Sequence, residues 1–355
     1  MRVRKVVETL PSYTAGASRP GAIKLSSNEN PLGPSPLALK ALQDTAATIH
    51  RYPDGACRAL KEKLAELHGL SPDWYVIGNG SDEVMLFIAG AFVDRGASVV
   101  TGEHTFSEYT FATRVFEGEV RYAPMQEGRF QLEEILARID ASTRVVFICN
   151  PNNPTGTYLS HEELTSFLEK VPGDVLVVVD EAYREYVEAR DFPETVELLK
   201  DHPNLMVLRT FSKVYGLAGL RVGYGVAHPQ VIRYVGRLKP PFNVNLLGQA
   251  AALAALDDEA FVERSRAITR EGKAFLYGEL SRLGLFYYPS EANFVCFRVE
   301  GSSQEAFRAL MERGVIIRPL DSFGLPGWMR VTVGTHEHNT AFIAALEDYL
   351  RTRRT

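Results

Sequence analysis

A lysine, an acid, a phenol and an arginine stand in this chain where strand ends would gather them. Lys213 closes the run Leu205-Met206-Val207-Leu208-Arg209-Thr210-Phe211-Ser212-Lys213, whose apolar stretch reads as a buried strand ending in polar groups. Arg221 follows eight residues later, beyond Gly216 and Gly219. A second apolar run, Val175 to Val179, ends in Asp180, with Tyr183 close behind. Strand ends of parallel α/β sheets are where ligand sites form. Such a set could make an amine-based cofactor site. A lysine alone would be read as an exposed loop residue, since lysines are mostly exposed. Its neighbours set this one apart.

Thr210, Ser212 and Arg221 flank the lysine, and two hydroxyls with a guanidinium are what a phosphate monoester dianion requires. A lysine that condenses with an aldehyde must spend time as the neutral amine. Its ordinary pKa of ~10.4 opposes that, so desolvation and a nearby cation such as Arg221 help. Asp180 follows five apolar residues, and a buried carboxylate needs a cation. A pyridinium nitrogen would serve; a cap on a helix around Glu181 to Tyr186 is the other reading. The loop Gly78-Asn79-Gly80-Ser81-Asp82-Glu83 lies between a strand and a helix pattern. It could cup a phosphate on free backbone N–H groups, or be a plain turn. It is neither a Walker loop nor GxGxxG. Asn150 to Gly156, rich in Pro and Asn, fixes a tight turn or aims an amide at a ligand oxygen. In Met329 to Val333, alternation puts Arg330 and Thr332 on one face and Val331 and Val333 on the other. Arg330 or Arg318 could grip a carboxylate through two parallel hydrogen bonds, or form a salt bridge at a domain edge.

Two kinds of element must position these groups. From about residue 70 to 240, short β-branched runs alternate with helical patterns. The runs are Tyr75 to Ile77, Ser98 to Thr101, Val120 to Ala123, Arg144 to Cys149, Val175 to Val179, Leu205 to Leu208 and Arg221 to Val226. Helical patterns span Asp82 to Phe92, Gln131 to Ile139 and His161 to Lys170, the last opened by a capping box of Ser160 and Glu163. This alternation predicts an α/β fold with a mostly parallel sheet covered on both faces. The first 35 residues, rich in Pro, Gly, Ser and Asn, form an arm that is draped or disordered. After residue 258 come a long charged helix (Asp258 to Leu283), a helix near Gln304 to Glu312, strands near Val315 and Met329, and a closing helix from His336. The division is an arm, 1–35, a large domain, 36–257, and a small α+β domain, 258–355, with a ligand cleft between the two domains.

A chain of 355 residues with 45% hydrophobic and 23% charged residues suits such a two-domain globular protein. Its net charge of −5 gives no reason to expect nucleic acid or an anionic membrane as partner. Cys57, Cys149 and Cys296 are scattered, without CxxC, so neither a disulfide framework nor a metal site is expected. No apolar stretch approaches a membrane span, and Met1-Arg2-Val3-Arg4-Lys5 lacks a signal-peptide core. A cytoplasmic protein fits.

Taken together, these strings resemble the fold type I family of pyridoxal-phosphate (PLP) enzymes, and among them the histidinol-phosphate aminotransferases. The resemblance runs from Ser27-Asn28-Glu29-Asn30-Pro31-Leu32-Gly33-Pro34 and Arg51-Tyr52-Pro53-Asp54-Gly55 through Gly78 to Glu83, Asn152 to Gly156, Asp180 to Tyr183, Thr210 to Lys213 and Leu217 to Tyr224, to Arg330 to Gly334. It implies a large domain with a mostly parallel seven-stranded sheet and a smaller α+β domain. It implies that Lys213 binds the cofactor aldehyde and then shuttles a proton, while Asp180 pairs with the pyridine nitrogen. Asn153 and Tyr183 would bond the ring oxygen. Ser81, Asp82, Thr210, Ser212 and Arg221 would hold the phosphate, and Phe106 would stack on the ring. Tyr52 would reach the phosphate in a neighbouring subunit, implying a homodimer. Arg330 would grip the carboxylate of glutamate or 2-oxoglutarate; Tyr13, Arg318 and Asn28 would serve the substrate phosphate. Phe106 stands where many relatives carry Tyr, and His104 where proline is usual. The function implied is transamination between L-histidinol phosphate and 2-oxoglutarate. An aromatic amino acid aminotransferase, a threonine-phosphate decarboxylase and a non-catalytic module of the same fold are the alternatives.

Overall fold

Seven β-branched runs form the sheet that carries the candidate site: β1 (Tyr75–Gly78), β2 (Ser98–Gly102), β3 (Glu119–Ala123), β4 (Thr143–Cys149), β5 (Leu176–Asp180), β6 (Leu205–Thr210) and β7 (Gly223–Ala227). The computed structural model describes residues 1–10 and 19–354. The order across the sheet is β1-β7-β6-β5-β4-β2-β3. β7 is antiparallel to both its neighbours and the other pairs are parallel. β5 and β6 are buried along their whole length, which is why they read as continuous apolar runs rather than alternating ones.

The reversal at β7 builds one corner of the site. An antiparallel β7 begins at the sheet edge where β1 and β6 end. Gly223 pairs with Gly78 on one side and Thr210 on the other. A side chain at Gly223 would collide with the backbone nitrogen of Ser81, the first residue of α1 (Ser81–Phe92). Glycine there lets the start of α1 close onto the sheet end.

Three boundaries differ from the sequence reading. Arg221 is not in a strand: it has φ 56° after a 3-10 turn, Ala218–Leu220, and Phe211 N–H closes the loop on Val222 O at 3.0 Å. The helix expected over Gln131 to Ile139 covers only Leu132–Leu136. It tightens into i→i−3 turns, with Arg138 N–H on Ile135 O at 3.0 Å and Ile139 N–H on Leu136 O at 3.1 Å. Around Glu181 to Tyr186 there is one 3-10 turn, Arg184–Tyr186, without a side-chain cap, so Asp180 is no helix cap. The capping box does form: Ser160 Oγ accepts from Glu163 N–H at 3.3 Å and Glu163 Oε2 from Ser160 N–H at 2.7 Å.

Beyond the large sheet lies a helix, Glu259–Arg282, and a four-stranded antiparallel sheet of β8 (Tyr287–Tyr288), β9 (Phe294–Arg298), β10 (Arg318–Pro319) and β11 (Trp328–Thr332). Its order is β8-β9-β11-β10. Val295, Phe297, Met329 and Val331 turn one face of this sheet onto Leu276, Leu310 and Phe342, forming an apolar cluster separate from that of the large sheet. The arm is draped. Ile23–Lys24 pairs in parallel with Val315–Ile316, and Leu25 joins the second cluster. Asn30 Nδ2 then donates to Val214 O and Ser265 Oγ, both at 2.8 Å, which pins the arm beside Lys213. Among the described residues, no helix is long and apolar enough to cross a membrane.

Candidate active site

The strand ends open into a cleft of about 540 Å³ lined by residues of the large sheet, the arm and the second sheet. Asp180, the last residue of β5, projects into it while only 2% exposed. Its Oδ2 accepts from the Tyr109 hydroxyl at 2.7 Å and its Oδ1 from Ala182 N–H at 3.2 Å. Burial drives its pKa up to about 6, and the Tyr109 hydrogen bond restrains the rise. Tyr109 is itself clamped, stacked on Phe147 with ring centroids 4.8 Å apart.

Lys213 follows β6 and its ammonium lies 5.6 Å from the centre of the Tyr183 ring. Burial, then the Arg330 charge, brings its pKa down to about 8. The nearby cation is therefore chiefly Arg330 and not, as expected from sequence, Arg221, whose influence is the lesser. The Tyr183 hydroxyl accepts from Asn28 Nδ2 at 2.8 Å. Asn28 is held in turn: its N–H donates to Thr332 Oγ1 at 2.9 Å and its carbonyl accepts from Asn293 Nδ2 at 3.1 Å.

At the other end of the cleft, the start of α1 meets the turn after β6. Thr210 Oγ1 donates to Ser212 Oγ at 3.0 Å, and Arg221 Nη2 donates to Asp82 Oδ2 at 2.9 Å. Arg221 Nη1 lies 3.5 Å from Ser212 Oγ. Gly80 takes φ 85° as N-cap, and a side chain there would strike the Arg221 guanidinium. Hydroxyls, guanidinium and the first turn of α1, whose N–H groups have no side-chain cap, thus share one small cup.

On the opposite wall Arg330 and Arg318 are paired residues of β11 and β10, so both side chains leave the same face of the small sheet. Arg330 Nη1 donates to Asn153 Oδ1, and its Nη2 to Ser26 O at 2.8 Å, while its buried Nε has no partner. Burial lowers its pKa to about 10, with Arg318 adding to the effect and Tyr183 opposing it. Among the described residues neither arginine forms an ion pair; Arg318 reaches only Ser322 Oγ, at 3.4 Å.

Of the residues singled out from sequence, Asn28, Ser81, Asp82, Phe106, Asn153, Asp180, Tyr183, Thr210, Ser212, Lys213, Arg221, Arg318 and Arg330 all line this cleft. Tyr52 does not. It is 81% exposed and stacks on Phe242 with centroids 4.7 Å apart. Tyr13 lies outside the described residues. The sequence reading missed Tyr109 as the partner of Asp180. No local signal marks it: Tyr109 sits in the first turn of α2 (Glu108–Val115), and Phe106 lies before that helix.

The model of aminotransferase classes I and II matches residues 20–346. The chain belongs to the class I and II aminotransferases. A histidinol-phosphate aminotransferase of Moorella thermoacetica is 49% identical over 329 residues, 92% of this chain and 85% of that one. Another, of Halalkalibacterium halodurans, is 44% identical over 359 residues, 99% of this chain and 97% of its own length. Among solved structures, the histidinol-phosphate aminotransferase of Sinorhizobium meliloti in complex with pyridoxal-5'-phosphate superposes with a TM-score of 0.91 at 29% identity, covering 99% of this chain and 98% of that one. The family resemblance and the fold type read from the sequence are therefore borne out. This aminotransferase carries its candidate lysine, carboxylate and anion cup in one cleft.

Proposed function

We propose that this aminotransferase transfers the amino group of L-histidinol phosphate to 2-oxoglutarate, yielding imidazole acetol phosphate and L-glutamate in histidine biosynthesis, with PLP as cofactor. One observation carries the reading: Arg221 with its hydroxyl neighbours, Lys213, and the paired Arg318 and Arg330 all line one cleft. The Arg221 cup suits a cofactor phosphate. The facing Arg318 and Arg330, free of acidic partners among the described residues, suit the anionic end of each substrate in turn. Two guanidiniums side by side repel, and a phosphate or carboxylate that binds both relieves that repulsion.

The residues present fit PLP. The cleft offers a buried carboxylate without an ion-pair partner among the described residues, suited to a pyridinium, a hydroxyl-rich cup for a phosphate dianion, and a lysine whose pKa burial brings down to about 8. Bound there, PLP would supply an electron sink for the substrate's α-carbon. Asp180 would keep the ring nitrogen protonated, while Ser81, Asp82, Thr210, Ser212 and Arg221 would hold the phosphate. Asn153 and Tyr183 would hold the ring oxygen and Phe106 would cover the ring face. Lys213 Nζ would take a proton from the substrate α-carbon and return it to the carbon that gains the amino group. Arg330, Arg318, Tyr13 and Asn28 would orient the substrate. Excluding water from this cleft strengthens each of those charge contacts.

The two apolar clusters support a large unit, 36–257, and a small one, 258–355; of the arm, 1–35, Ile23 to Leu25 join the small unit, while Arg4 Nη2 donates to Val115 O and Asn30 Nδ2 to Val214 O of the large one. Exposed Ile49, Tyr52 and Phe242 support a homodimer formed on that face. Three buried, unpaired cysteines are in keeping with a cytoplasmic setting.

Comparing kcat/KM for histidinol phosphate and phenylalanine, each with 2-oxoglutarate, tests the substrate. Histidinol phosphate should be preferred by at least about tenfold, the worth of one satisfied charged hydrogen bond. A preference for phenylalanine, or carbon dioxide release from threonine phosphate, overturns the assignment.

A further inference from the structure

We infer that His104 is a positioning residue for the substrate-anion grip, tying the loop that carries Phe106 to the turn that follows Arg318. The inference rests on the proposed function and extends it to a residue outside the site's lining. His104 lies between β2 and α2, in the loop that delivers Phe106 to the cleft. Its Nδ1 is 2.8 Å from the carbonyl of Phe323, in the 3-10 turn Asp321–Phe323. A carbonyl only accepts, so Nδ1 carries the proton in this contact. The other ring nitrogen stands 3.5 Å from Glu103 Oε1.

The loop end of this clasp is rigid. The His104 carbonyl accepts from Asn152 Nδ2 at 3.0 Å, and Thr105 Oγ1 donates to Asn152 Oδ1 at 2.7 Å. The turn end is shaped to meet it. Gly324 has φ 74°, and a side chain there would come within 3.2 Å of the imidazole. The same turn supplies Phe323 to the cleft wall, and its Ser322 Oγ lies 3.4 Å from Arg318 Nη2. His104 therefore fixes where the Arg318 segment sits relative to the Phe106 segment. Asp180 is fixed through Tyr109, and Lys213 follows β6; among the described residues His104 bonds instead to Phe323 and Asn152. Losing the clasp should loosen anion binding and spare the proton transfer.

The test uses the holoenzyme with His104→Ala and with His104→Asn, whose amide can donate where Nδ1 does. In His104→Ala, KM for histidinol phosphate and the competitive inhibition constant of inorganic phosphate should both rise about five- to tenfold, the weight of one hydrogen bond, with kcat within about twofold. His104→Asn should recover to within about threefold of wild type, because it restores the donor. An unchanged KM in His104→Ala, a kcat that falls with it, or His104→Asn no better than His104→Ala overturns the inference. The phosphate measurement runs with whichever amino donor the wild-type enzyme accepts. A wrong substrate assignment and an absent clasp are thus read separately.

Discussion

At the scale of single residues, burial moves two pKa values in the cleft toward neutrality from opposite sides. Burial and Arg330 bring Lys213 down to about 8. Roughly one amine in ten is then neutral at pH 7, against fewer than about one in a thousand at the ordinary value. Burial brings Asp180 up to about 6, so it is still mainly ionised at pH 7 and able to hold a cation. Tyr109 keeps it there. Its O–H donates to the carboxylate, which favours the charged form and lowers the pKa. Tyr109→Phe removes that donor, so the carboxyl pKa should climb further and the ionised form should require higher pH. A hydrogen bond to a charged group is worth about 1.5 kcal/mol or more, or about one pH unit. The acid limb of the kcat/KM profile should therefore move up by about one unit in Tyr109→Phe. An unmoved limb would show that Asp180 does not govern it.

At the scale of elements, the strands were legible and their attachments were not. β5 and β6 announced themselves as unbroken apolar runs, because a strand covered on both faces has no polar side. The polar residues at their ends were equally plain, since they interrupt those runs. Arg221 was misread as a strand residue because β-branched Val222 and aromatic Tyr224 follow it; its left-handed backbone reflects the reversal at β7, which local pattern does not record. Tyr109 and Asp180 are 71 positions apart, and the facing of Arg318 and Arg330 depends on register across a small sheet. Neither is a property of any one segment. The same limit hid the ion pair behind the site. Arg209, one residue before Thr210, directs both Nε and Nη2 to Glu181 Oε2, at 3.0 and 2.8 Å, with both side chains buried. This pair ties β6 to the residue after Asp180, on the side away from the cleft. Arg209→Met alone leaves a buried carboxylate unpaired and should cost about 3–5 kcal/mol, whereas Arg209→Met with Glu181→Leu should recover most of that loss. Denaturant unfolding of the two variants gives the comparison. Equal losses would mean that packing, rather than the uncompensated charge, dominates.

At the scale of the whole molecule, the site of one chain is expected to need a second copy. Tyr52 is the one site residue named from the sequence that stands outside the cleft among the described positions, and it is displayed instead on an exposed shelf against Phe242. If it serves the phosphate cup of a partner, the defects of Lys213→Ala and Tyr52→Ala must complement. Each homodimer is impaired at both sites, the first in chemistry and the second in cofactor retention. Unfolding and refolding an equal mixture makes about half the dimers mixed, by random pairing of equivalent subunits. In a mixed dimer, one site combines the intact Lys213 of one chain with the intact Tyr52 of the other. The second site carries both lesions. About a quarter of all sites should then be wild type, so limiting cofactor should support roughly a quarter of wild-type activity, well above either parent. A tyrosine acting within its own chain could never meet an intact lysine in such a mixture. Activity would then stay at half that of the Tyr52→Ala enzyme, and the shared site would be refuted.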